Sequence, residues 1–163
     1  MISPRTKHAA LIVVVLFGLV GHTFAQSPFP SSGDAVGDAA NVLGAIDLAK
    51  LQAERCAKAN LLSATDREAV DRRLREYEPT QSEVQVFVLP LLARAQHTTI
   101  QGATAWMSDL LAEERQEFLA ELSKMDLSDH CAAFARNMGA RRGDFNYMYS
   151  DMLRVIRNAA ATP

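Results

Sequence analysis

The chain has 163 residues, 48% of them apolar, with 17 basic and 19 acidic side chains and a formal charge of −2. That length makes one domain able to bury a core without metals or several disulfides. The near balance of signs excludes the basic footprint that nucleic-acid binding requires.

The chain opens with Arg5 and Lys7, continues through an apolar run over residues 9–20, and ends that segment on Gly21-His22-Thr23-Phe24-Ala25. Charge, apolar core and small residue in this order predict a secretory signal peptide, residues 1–25, cleaved after Ala25. The run is short beside the roughly 20 residues that cross a bilayer, so it is read as a signal and not as a stable membrane anchor. No cysteine follows it before Cys56, which excludes a lipid anchor there. Cleavage leaves 138 residues with 15 basic and 19 acidic side chains, a charge of −4. The expected location is periplasmic or secreted.

Residues 26–34, QSPFPSSGD, are rich in Pro, Ser and Gly and predict a flexible leader before a helical domain over 35–163. Val42, Ile46, Ala49, Ala53 and Cys56 follow at alternating steps of four and three, one stripe of a first helix. Thr65-Asp-Arg-Glu68 reads as a capping box opening a second, short helix with Val70, Leu74 and Tyr77 inward. A second such box, Thr80-Gln-Ser-Glu83 after Pro79, opens a central helix. Its apolar run over 84–92 predicts burial on most sides, because a surface helix needs a polar face. Val-Gln-Val-Phe-Val is β-favouring, but no other strand-like segment exists for it to pair with. Pro90 inside the run removes one backbone bond and predicts a kink.

Gly102 breaks the pattern, and a fourth helix over about residues 104–124 presents Met107, Leu110, Leu111, Phe118, Leu122 and Met125. Leu127-Ser128-Asp129 predicts a cap for a helix over 130–138, closed by Gly139 in a left-handed turn. Gly143-Asp144 caps a last helix over 145–158. The sum is an all-α, single-domain bundle of five to six helices around the central one.

Cys56 and Cys131 are the only cysteines, an even count in an exported chain, and predict a disulfide. The alternative is a reactive thiol, Cys131 in a helix's first turn beside His130; neighbours in sequence point about 100° apart on a helix, which disfavours that pair. His97 and His130 have no partner at ligand spacing, and no CxxCH is present, so neither a metal nor a cofactor is expected. Glu113, Glu114, Glu117 and Glu121, with Arg115 and Lys124 interleaved, read as a solvated helix face and only secondarily as acid-base groups. Arg142-Gly143-Asp144 matches an adhesion tripeptide that a glycine and an Asp cap already explain.

Leu62-Ser-Ala-Thr-Asp-Arg67 and Leu111-Ala-Glu-Glu-Arg-Gln116 resemble degenerate copies of the Leu-Thr-x-x-Gln motif of small helical periplasmic stress chaperones. Neither copy keeps both the Thr and the Gln, and no family is assigned from them.

The function expected is non-catalytic binding of another protein, as chaperone, inhibitor, immunity-type protein or envelope accessory factor. Tyr147 falls opposite Tyr149 on the last helix, and Arg142, Tyr147, Arg154 and Arg157 are its candidate binding residues, since Tyr and Arg dominate interface hot spots. The alternatives are a carrier with an apolar cavity beside Pro90, and an enzyme using His130 and Cys131 or the carboxylates from Glu113 to Glu121.

Overall fold

Five helix starts carry an acceptor side chain that takes one of the orphan backbone N–H groups of the first turn. They are Asp34 for α1 (Ala35–Lys58), Ser63 for α2 (Ala64–Ala95), Thr99 for α3 (Ile100–Leu122), Asp126 for α4 (Leu127–Gly139) and Asp144 for α5 (Phe145–Met148). A 3-10 turn, Arg141–Gly143, lies between α4 and α5, and α6 (Ser150–Ala160) ends the order. The computed structural model describes residues 27–161, so the signal peptide expected over residues 1–25 lies outside the described residues. Within them the chain is all-helical and forms one domain.

The caps correct several boundaries. Ser63, two residues before the expected Thr65 box, accepts from the Asp66 N–H at 3.1 Å, and α2 then runs unbroken through both Pro79 and Pro90. The Thr80 box opens no new helix. A mid-helix proline costs about 3 kcal/mol, but Tyr77 and Thr80 on either side of Pro79 are buried, and that packing carries the helix through. Gly102 sits within the first turn of α3, where its N–H is bonded by Thr99 at 3.1 Å. Asp126, not Ser128 or Asp129, caps α4. Gly139 closes α4 without a left-handed turn, and the chain leaves through extended Ala140. The left-handed positions that follow helices are instead Asn60 and His97, just past the ends of α1 and α2, so His97 acts as a helix terminator.

The core forms where α1 meets α2, α3, α4 and α6. The first-helix stripe holds: Val42, Ile46, Ala53 and Cys56 are buried, and Ala49 is half-buried. From α2, Val84, Val88 and Leu92 enter the core at steps of four. The expected burial of the 84–92 run on most sides is overturned, because Val86 is 77% exposed and only one face is sealed. The last helix is also not continuous. The chain breaks at Tyr149 (φ −112°, ψ 22°), which turns α6 away from α5.

The stretch before α1 is not a free leader over its described part. The Ser27 hydroxyl donates to the Met148 carbonyl at 2.7 Å, and the Phe29 ring stacks on Tyr149 with centroids 4.9 Å apart. The fully buried Asp38 carboxylate accepts from the hydroxyls of Ser31 and Ser32 and from the Ser32 N–H at 3.0 Å. The Ser residues that suggest flexibility by composition are thus the donors for a buried acid in the first turn of α1. Cys56 and Cys131 form a disulfide that joins α1 to α4. Among the described residues, no helix is long and apolar enough to cross a membrane.

Candidate functional site

The most enclosed of the concave sites, though the smallest, lies at the junction of α1, α4 and the turn leading into α5. Its floor comes from α1, where Ala45, Ala49 and Gln52 follow one another at steps of four and three. Two alanines leave room that larger side chains would fill. The walls are Phe134 and Met138 of α4, Tyr77 of α2, and Phe145, Met148 and Tyr149. Arg142 and Asn137 stand at the mouth, and the cleft has a volume of about 80 Å³.

Its walls are rigid for identifiable reasons. Cys56 lies one turn beyond Gln52 and Cys131 one turn before Phe134, so the disulfide fixes α1 against α4 directly beside the cleft. The rings of Tyr77, Phe145, Tyr149 and Phe29 form a ladder, with successive centroids 4.8, 4.3 and 4.9 Å apart. Each such contact adds about 0.5–1.5 kcal/mol beyond area burial. The Tyr77 hydroxyl donates to the Gly143 carbonyl at 2.5 Å and lies 3.4 Å from Met138 Sδ. Gly143 is required for this closure: a Cβ there would lie 2.6 Å from the Met138 carbonyl oxygen.

The polar groups of the cleft differ from its walls. Burial pushes both the Tyr77 and Tyr149 hydroxyls well above the ordinary phenol range, so both stay protonated. Gln52 is only 4% exposed, and its side-chain amide has no hydrogen-bond partner among the described residues. Neither amide atom is sealed from water, so the polar end of Gln52 is turned to the cleft while the rest of the residue is buried, which makes it the atypical member of the α1 stripe. Arg142 is the one charged residue lining the cleft.

The residues singled out from sequence are scattered. Arg142 is at the cleft mouth. Tyr147 is half-buried, with the Arg141 guanidinium 4.0 Å above its ring. Arg154 reaches Asp151 at 3.5 Å, and Arg157 forks onto Glu83 at 2.8 and 2.9 Å, tying α6 to α2. That fork holds the Glu83 carboxyl below its usual range. The break at Tyr149 keeps Tyr147 off the helix that bears the other two arginines.

The Cys131 sulfur is committed to the disulfide, so no thiol is left for His130 to activate. His130 itself is 5% exposed, its ring 6.4 Å from Phe118, and burial pulls its pKa below the ordinary value and favours the neutral imidazole. Of the α3 carboxylates, Glu113, Glu117 and Glu121 are exposed, and Glu121 pairs with Lys124 at 2.6 Å. Glu114 departs from the solvated-face reading: it is half-buried, and an added Cβ on Gly44 would meet its carboxylate at 2.6 Å. Desolvation, then the nearby Asp47 and Glu117 charges, raise its pKa. Arg115 reaches across to Asp47 instead of pairing along α3. Pro90 does not line the cleft, but an open groove of about 760 Å³ lies beside it, against Phe87 and Leu91 of α2 and Ile156 of α6. Among the described residues, no group of three His, Cys, Asp or Glu side chains is placed to hold a metal ion.

Sequence reasoning missed Gln52, Tyr77 and Tyr149 as a set. The one signal was local: Ala45, Ala49, Gln52 and Cys56 share a stripe of α1, and a glutamine interrupts its small residues. Compared with protein-family models, with curated proteins and with solved structures, the chain shows no significant match.

Proposed function

We propose that the chain is an exported, non-catalytic helical protein that binds another protein, with the cleft as the anchor pocket of the binding surface. The observation that carries this reading is the cleft's combination of size and lining. Sites for free small molecules occupy roughly 300–1,000 Å³ and enclose most of the ligand; about 80 Å³ suits the tip of one side chain projecting from a partner surface. Interface hot spots are of this kind, a single anchor residue in a rigid, desolvated pocket. The signal-like N-terminus and a disulfide, which persists in oxidising compartments, support a periplasmic or secreted setting.

The test fills the cleft from its floor. Tagged wild-type protein, Ala49→Phe and Arg142→Glu are each used to capture partners from the envelope and secreted fractions of the source cells. A protein retained by the wild type and lost from both variants, at melting temperatures within a few degrees, is the expected result. Retention of the same protein by both variants contradicts this reading.

A further inference from the structure

Within that protein-binding reading, we infer that the cleft receives a tyrosine side chain of the partner, flanked in the partner's sequence by an acidic residue. Three observations converge on that occupant. The wall is a ladder of aromatic rings, Tyr77, Phe145 and Tyr149, which a further ring extends by offset or edge contact. An aliphatic side chain would bury area there but gain none of the ring contacts.

The second observation is Gln52. The residue is more than nine-tenths buried and lines the cleft, and its amide, which keeps contact with water there, lacks a hydrogen-bond partner among the described residues. A phenylalanine would leave that amide sealed and unpaired, whereas a phenol hydroxyl both donates to the amide oxygen and accepts from its nitrogen. The site therefore discriminates between the two rings by the penalty it places on the one without the hydroxyl. The third is charge: Arg142 at the mouth is the only charged lining residue, and Arg141 precedes it on the same turn. A carboxylate beside the inserted tyrosine complements that rim, and a basic neighbour is repelled.

The test uses the full-length, disulfide-intact protein, labelled with nitrogen-15, titrated with three capped dipeptides: Ac-Asp-Tyr-NH2, Ac-Asp-Phe-NH2 and Ac-Lys-Tyr-NH2. The expected result is a saturable shift of the Gln52 side-chain amide signals with Ac-Asp-Tyr-NH2. That peptide should bind roughly tenfold more tightly than Ac-Asp-Phe-NH2, in line with a buried hydrogen bond. It should exceed Ac-Lys-Tyr-NH2 by about two- to threefold, as an exposed charge contact allows. Gln52→Leu should erase the tyrosine preference and Arg142→Ala the aspartate preference. Equal binding of the tyrosine and phenylalanine peptides by the wild type, or shifts that bypass Gln52, would overturn the inference, and neither result depends on a variant folding. If the peptides fail while Ala49→Phe still abolishes capture, the occupant is wrong and the protein-binding reading stands. If Ala49→Phe and Arg142→Glu leave capture intact, that reading falls and the inference with it.

Discussion

The two sides of α1 are held by different physics. On one side, α4, α5 and the segment before α1 are locked by the Cys56–Cys131 disulfide, the ring ladder and the hydrogen bond from Tyr77 to Gly143. On the other, Ala103 and Met107 of α3 enter the main core, and its C-terminal half is held by a small separate cluster of Leu48, Phe118 and Leu122 and by the ion pair between Arg115 and Asp47. The α3 side also leaves Ile100 55% and Trp106 43% exposed. The covalent tie and the ring ladder are thus concentrated around a concave site, while the side with more exposed apolar surface is held by packing and an ion pair. Restraint preorganises a pocket and lowers the ordering cost of binding, which favours the cleft over the apolar surface of α3 as the proposed binding site.

The largest way to break this asymmetry is to remove the disulfide. Its cysteines are separated by 75 residues, and a loop of that length corresponds to about 4.5 kcal/mol in the chain-entropy model, with losses of about 2–5 kcal/mol typical on removal. Cys56→Ser with Cys131→Ser should lower stability by an amount in that range, and reductant should do the same to the wild type but nothing further to the variant. Urea unfolding with and without reductant measures both. Equal midpoints for the wild type in the two conditions would remove the disulfide from the account.

Next in size is Phe118→Ala. Truncating a buried phenylalanine costs about 3–5 kcal/mol, with the lower end expected because the cluster around Phe118 is small. Hydrogen exchange should show the loss of protection concentrated in α3, with amides around Cys56 and Cys131 the last to be affected. Uniform loss across all helices would show that the two sides unfold as one unit.

Arg115→Ala should cost about 1 kcal/mol, since Arg115 is half exposed and such pairs contribute little. Salt should reduce the wild-type value toward the variant's. Smallest is Glu114→Gln. The folded-state pKa of Glu114 is raised by desolvation first and by Asp47 second. The folded protein therefore takes up the proton more readily than the unfolded chain, and ionisation weakens the fold above the raised pKa. Glu114→Gln should raise the melting temperature slightly at pH 7.5. That gain should shrink as pH falls through the folded pKa and vanish below the ordinary carboxylate value, where both states of the wild type are protonated.

Much of this architecture was legible because it rests on local chemistry. Asp144 caps α5 as its position after Gly143 suggests, the α1 stripe is buried at its three-four spacing, and the two cysteines pair. Boundaries failed where tertiary packing outweighs a local signal: Pro79 looks like a stop, but buried Tyr77 and Thr80 hold α2 through it. The 27–34 segment failed for the opposite reason, since its Ser residues look solvated until Asp38 is seen buried beneath them. The cleft was illegible because Gln52, Tyr77 and Tyr149 sit far apart in sequence and each reads alone as an ordinary helix position.

The most direct measurement places a photoreactive amino acid in the full chain at Arg142, beside the cleft, or at Trp106 on α3, and cross-links each variant in the living source cell. The account predicts a discrete protein adduct from position 142 that Ala49→Phe abolishes, and none from position 106. An adduct from position 106 with none from 142 would move the binding surface to the α3 side and contradict the central claim.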